Sequence, residues 1–254
     1  MKVRVLGCGT STGVPKIGND WGQCDPEEPR NSRLRTSILV ESASHRMLVD
    51  CGPDLRQQLL AAKVAELSGT IVTHAHGDHC HGIDDLRPVS QAIGGPVPIY
   101  GRAEVLDELA LRFAYVFEKT HFYRPIAEAR ELGESLAFGG AEVVFADQPH
   151  GGISTLGMRF TEDDRSVGYA VDFSKITDEM SALYEGVDLW IADCLTRKPH
   201  PTHMHVDAVL SAARELRVGQ LCLVHMGNGL DYRTLLGELP DWAMPAHDGM
   251  EIEL

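Results

Sequence analysis

The chain has 254 residues, 43% of them hydrophobic and 24% charged, with a formal net charge of −14. A strongly acidic protein repels polyanions at long range, so an extended grip on DNA or RNA is disfavoured, whereas a small anionic substrate at a bound cation is not. No stretch is apolar for long enough to read as a membrane span or a secretory leader, and the six cysteines form no C-x-x-C pair, so the composition predicts a cytoplasmic, disulfide-free protein.

In chain order, KVRVLG (2–7) is an opening strand, and a Gly-, Pro- and Asn-rich irregular stretch runs from Gly7 to Arg35. TSILVES (36–42) and HRMLVDCG (45–52) form a strand pair. PDLRQQLLAAKV (53–64) is an amphipathic helix with Leu55, Leu59 and Leu60 on one side. GTIVTH (69–74) is a short buried strand, and IDDLRPVSQAIG (83–94) is a helix that Pro88 is expected to kink or end. VPIYG (97–101) is a strand. AEVLDELALRFAYVF (103–117) is one helix with Val105, Leu106, Leu109, Phe113 and Val116 at helical spacing. Strands follow at 141–147, 153–162, 165–172 and 188–194, then a helix at 205–217, a strand at 221–226 and a closing strand at 250–254. Strands with interspersed helices predict a layered α/β fold in a single domain spanning 1–254.

Histidine is distributed unevenly. Of twelve, four lie between positions 74 and 81 and three between 200 and 205. The run Thr73-His74-Ala75-His76-Gly77-Asp78-His79 follows an apolar strand. Side chains alternate along an extended chain, so His74 and His76 point the same way and can share one ion, while Asp78 and His79 lie just beyond, where the backbone turns. Imidazoles with a carboxylate suit zinc and similar borderline cations. His150, Asp172 and His225 each stand at the exit of an apolar strand, where sites form in layered α/β sheets. Asp50 reads either as a turn residue before Gly52 or as a partner that orients a ligand histidine.

These residues resemble the metallo-β-lactamase superfamily, and the likeness runs along essentially the whole chain. The resemblance implies a four-layer αββα sandwich and a hydrolase with two divalent ions, zinc or manganese. It places His74, His76 and His150 on one ion, Asp78, His79 and His225 on the other, and Asp172 as the bridge. Two such ions share a water of lowered pKa and hold the attacking and leaving oxygens.

GCGTSTGVP, PRNSRLRTS, HGDHCHGIDDLR and HDGMEIE further resemble the phosphoribosyl 1,2-cyclic phosphate phosphodiesterase branch, which implies a small cyclic or nucleotide-like phosphodiester as substrate. In that likeness His205 matches the catalytic histidine that protonates the leaving oxygen, although His200 and His203 stand in the same segment. Arg87 and His203 are candidate substrate contacts, and Arg33 and Arg35 weaker ones. The backbone of the GCGTSTG loop either faces a phosphate or forms a plain tight turn. The branch's structural zinc needs three close cysteines, and only Cys24 is present, so that ion is expected to be absent. Competing readings are a tRNA 3′-processing endonuclease, a thioester or lactone hydrolase on the same metals, and a non-catalytic metal-binding scaffold. No membrane partner is expected; a homodimer is compatible with the sequence.

Overall fold

Short apolar runs, buried on both faces, build most of the core of this molecule. In the computed structural model, which describes residues 1–119, 122 and 124–254, the strands in chain order are β1 (Lys2–Gly7), β2 (Ser37–Ser42), β3 (His45–Val49), β4 (Gly69–Ile71), β5 (Val97–Gly101), β6 (Ala127–Glu131), β7 (Ser135–Phe138), β8 (Ala141–His150), β9 (Ile153–Glu162), β10 (Arg165–Ala170), β11 (Leu189–Asp193), β12 (Gln220–Val224), β13 (Ala243–Pro245) and β14 (Glu251–Glu253). They form two seven-stranded sheets, ordered β14-β1-β2-β3-β4-β5-β6 and β13-β12-β11-β10-β9-β8-β7. Each sheet is antiparallel at its hairpin end and parallel from β3 to β6 or from β10 to β13.

Parallel neighbours need crossovers, and helices supply them. They are α1 (Leu55–Ala62), α2 (Gly77–Cys80), α3 (Leu86–Ile93), α4 (Ala103–Arg112), α5 (Ala114–Phe117), α6 (Asp178–Tyr184), α7 (Val206–Glu215) and α8 (Tyr232–Glu238). The two faces of the first sheet can be read residue by residue. Ile38, Val40, Met47 and Val49 join the core against the second sheet, whereas Leu39 and Leu48 pack outward with Leu55, Leu86, Val105 and Leu109 of the covering helices. Val209 and Met180 of α7 and α6 belong to the core of the second sheet. The result is the four-layer αββα sandwich. No helix among the described residues is long and apolar enough to cross a membrane.

Several local expectations are corrected. Leu60 is 62% exposed and not on the buried side of α1. Pro88 neither kinks nor ends its helix: it sits in the first turn of α3, where its missing N–H has no intrahelical partner to lose. The helix expected over 103–117 breaks at Phe113, whose φ of −127° and ψ of 40° divide α4 from α5. Strands β6, β7 and β13 and helices α6 and α8 add to the expected set. The two helices carry a start signal in the sequence: the Thr177 side chain accepts from Met180 N–H, and Asp231 accepts from Thr234 N–H.

Candidate metal centre

The site lies where strands leave the sheets at one edge. β4 ends at Ile71, and the chain continues extended through Thr73 and His74 until His76 caps α2. Asp78 and His79 therefore stand in the first turn of a four-residue helix. This turn is stitched to the exit of β3. Cys51 N–H donates to His79 O at 2.8 Å and Gly82 N–H to Cys51 O at 2.8 Å. A Cβ on Gly52 would come within 2.1 Å of Asp78 O, so only glycine lets the two backbones approach.

Three site residues adopt left-handed backbone at strand exits: Asp50 (φ 64°), Asp172 (φ 55°) and His225 (φ 58°). Such conformations are uncommon for residues with a Cβ and cluster at functional sites, where they re-aim a side chain. Here they turn Asp50, Asp172 and His225 inward just after β3, β10 and β12.

The seven expected ligands converge. His74, His76, His150 and Asp172 form one group and Asp78, His79, Asp172 and His225 a second, with the ligand atoms of each within 4.8 Å of one another. Asp172 belongs to both. Its Oδ2 lies 3.2 Å from His74 Nε2, 3.4 Å from His79 Nε2 and 3.6 Å from His150 Nε2, and its Oδ1 lies 3.3 Å from His225 Nε2. His79 Nε2 is 3.2 Å from Asp78 Oδ2. Ligand atoms at tetrahedral zinc distances are separated by about 3.4 Å, so these spacings suit a shared cation. The buried Nε2 atoms of His74 and His79 and Oδ1 of Asp172 have no hydrogen-bond partner, which a cation would supply. The residues present therefore fit divalent metal ions.

The outward nitrogens are tied down. His79 Nδ1 lies 2.7 Å from Asp50 Oδ2, and that carboxylate also accepts from Thr73 N–H (2.8 Å) and Thr73 Oγ1 (3.0 Å). Thr73 Oγ1 is 3.0 Å from His74 Nδ1, and His150 Nδ1 donates to Thr202 O at 3.0 Å. Each bond fixes a ring and leaves Nε2 facing the site. Asp50 is thus an orienting partner and not simply a turn residue. Burial, helped by the neighbouring His79 ring, holds His74 down at about 4, so its lone pair is free at neutral pH. Burial opposes charge on both His79 and Asp172. The carboxylates of Asp50, Asp172 and Asp78 nevertheless raise His79, and the rings of His225, His79 and His74 hold Asp172 well below the usual carboxylate range.

A cavity of about 300 Å³ opens above the ligands. His76, Asp78, His150, Asp172 and His225 face it, together with Ser11, Gly151, Ile153, Thr202 and His203. Of the three histidines in segment 200–205, His203 reaches the site. Its Nδ1 lies 2.8 Å from Asp193 Oδ2 and 3.7 Å from Asp172 Oδ1. His205 does not line the cavity. It stands at the N-cap position of α7 and its backbone pairs with Thr196, whereas His203 lines the cavity. His200 is exposed, within 3.3 Å of Thr202 Oγ1.

Arg87 is also displaced from expectation. It pairs with Asp84 at 3.3 Å and lines a separate cavity with Arg124, because α3 carries it along the outer layer. Arg33 is buried and donates to Gly227 O and Leu230 O, which ties the early loop to the segment after His225. Arg35 pairs with Asp54 at 3.1 Å. Asp193 escaped the sequence reading, although its place at the end of an apolar strand is the same signal that marked Asp172. Cys24 is buried, its thiol 3.4 Å from Leu230 O and 3.9 Å from Arg33 Nη1.

Comparison with known proteins adds four relations. The β-lactamase superfamily domain matches residues 45–226. The crystal structure of a diphosphatase from the PhnP family superposes with a TM-score of 0.90 at 32% identity, covering 99% of this chain and 97% of its own. An octanoyltransferase of Porphyromonas gingivalis strain W83 is 30% identical over 257 residues and 99% of this chain, which spans about half (51%) of that curated relative. The human short-form tRNase Z superposes with a TM-score of 0.70 at 20% identity, covering 100% of this chain and 99% of its own, and so shares the fold.

Proposed function

The chain belongs to the β-lactamase superfamily, a family of metallo-hydrolases, and on that premise we propose that it is a phosphodiesterase that uses two divalent ions, zinc or manganese, to open a small cyclic or nucleotide-like phosphodiester. The observation that carries this reading is one buried carboxylate, Asp172, shared by two ligand groups beneath an open cavity that also holds a histidine outside both groups. In this reading His74, His76 and His150 would hold one ion and Asp78, His79 and His225 the other, with Asp172, which belongs to both ligand groups, available to each. When bound, the ions supply charge that polarises a phosphoryl oxygen and acidifies a water.

The protein's own part is orientation and proton delivery. Asp50, Thr73 and the Thr202 carbonyl keep the ligand rings from rotating. His203 is the proton donor. Burial pushes His203 down, and burial, with a contribution from Asp172, pushes Asp193 well above the usual carboxylate range despite the opposing pull of His225. Asp193 Oδ2 lies 2.8 Å from His203 Nδ1, close enough to share a proton with it. As Nε2 gives its proton to the departing alkoxide, Nδ1 takes the shared proton from Asp193, and the dyad recovers it from solvent. A donor of this kind contributes about 10²–10⁴-fold.

A diphosphate substrate is the second reading, favoured by the description of the 32%-identical relative as a diphosphatase. The two differ at the leaving group, since an alkoxide needs a proton and a phosphate leaves as a stable anion. Protein loaded with Zn²⁺ or Mn²⁺ should hold close to two ions per chain by elemental analysis and hydrolyse bis(p-nitrophenyl) phosphate. Turnover of a diphosphate diester but not of this compound transfers the assignment to the second reading. Trimming of precursor tRNA, or turnover of a thioester alone, removes both.

A further inference from the structure

Two walls of the cavity differ in chemistry. The first is the turn Thr10–Gly13, closed by Gly13 N–H donating to Thr10 O at 2.8 Å, with Ser11 and Thr12 exposed at its tip. It stands on the Asp78 and His225 side. Gly9 pairs with Met226, the residue after His225, and Thr10 N–H donates to Met226 O at 3.2 Å. Arg35 Nε donates to Ser11 O at 3.2 Å. Arg35 is itself clamped by Asp54, whose carboxylate accepts from Arg35 N–H at 2.8 Å and from Nη1 at 3.1 and 3.2 Å. The turn is thus pinned through its backbone, and among the described residues Ser11 Oγ has no hydrogen-bond partner.

The second wall is the β8–β9 hairpin tip beside His150. Gly151 (φ 52°) and Gly152 (φ 95°) make the reversal, and a Cβ on Gly151 would lie 2.9 Å from Thr202 Cγ2. Ile153 follows, 44% exposed and facing the cavity. An aliphatic side chain left open beside a cluster of charged ligands gains from apolar contact with a bound group. Among the described residues, no lysine or arginine lines the cavity. The serine wall therefore offers one neutral group that both donates and accepts, which matches a hydroxyl better than a second anion.

We propose that the two walls read the two sides of the substrate separately: Ser11 holds a sugar hydroxyl, and Ile153 packs on the flat apolar face of a base. This rests on the phosphodiesterase reading and narrows it to nucleoside-type diesters. Arg35 is a positioning residue that acts through the Ser11 carbonyl, which its Nε holds while Asp54 holds its Nη1.

The test compares kcat/KM for a nucleoside 2′,3′-cyclic phosphate with that for bis(p-nitrophenyl) phosphate, which has no hydroxyl, on metal-loaded protein. In Ser11→Ala the ratio of nucleotide to aryl diester should fall about five- to tenfold, the size of one neutral hydrogen bond, mostly through KM. Arg35→Met should shift the ratio the same way by less, with metal content unchanged. Ile153→Ser should raise KM for both compounds. Ser11→Cys, which keeps the turn's bulk, carries the same expectation should Ser11→Ala fold poorly. An unchanged ratio in a folded, metal-replete Ser11 variant overturns the inference and leaves the phosphodiesterase reading intact. A wild-type enzyme that cleaves neither compound removes that reading, and this inference with it.

Discussion

The two sheets contribute to the site in different ways. The first delivers His74, His76, Asp78 and His79 in one pass, as the chain leaves β4 and turns into α2. The second delivers His150, Asp172, Asp193 and His225 one at a time, each from the end of a different strand. In the first region the ligand spacing is set by covalent distance along a few residues. In the second it is set by the register of β8, β10, β11 and β12, which a long stretch of chain must reach together. A local cluster can hold a cation while its surroundings vary, but a dispersed one works only when the sheet is complete.

Variants can break this contrast or sharpen it. The largest effect is expected at Asp172, where the two regions meet. Asp172→Ala should abolish hydrolysis and lower elemental metal content at both ions, whereas Asp78→Ala should abolish hydrolysis but cost mainly one ion. Equal, partial metal loss in the two variants would show that Asp172 is not shared. Next comes the pair of neighbouring histidines. His203→Ala should lower kcat by about 10²–10⁴ while metal content stays near wild type. His205→Ala should stay within about tenfold, as a helix-capping residue outside the cavity. A reversal of those two results would return the proton-donor role to His205.

Smaller effects test the supports of the first region. Asp50→Asn leaves every ligand in place but weakens the hold on His79, so metal affinity measured by competition with a chelator should fall about 10–100-fold. Gly52→Ala should destabilise the protein by about 1–3 kcal/mol in denaturant titration, because the added methyl must displace the backbone of Asp78. Unchanged stability there would mean that the β3 exit and the α2 turn are not tightly packed.

Legibility followed the same division. Strands buried on both faces, such as β2 and β3, announce themselves by short apolar runs, and so their pairing could be expected. β6 could not, since four of its five residues are exposed and its sequence AEARE carries no apolar rhythm. β13 is three residues long, too short for any period to register. The break at Phe113 was hidden because the apolar spacing continues across it. The ring packs at 5.7 Å against His81, a tertiary contact that helical periodicity does not encode.

The sequence by itself determined the histidine–aspartate cluster after β4, because its geometry needs only the alternation of an extended chain and one tight turn. It also marked His150, Asp172 and His225, because a polar residue ending an apolar strand is visible without knowing where the strand lies. Tertiary structure alone decided which of His200, His203 and His205 enters the cavity, that Ser11 stands beside it and that Arg87 does not. A loop has no period, so its side chains point wherever distant partners hold them. Asp193, ten positions away and buried at the end of β11, claims His203, while the first turn of α7 and the bridge to Thr196 claim the backbone of His205.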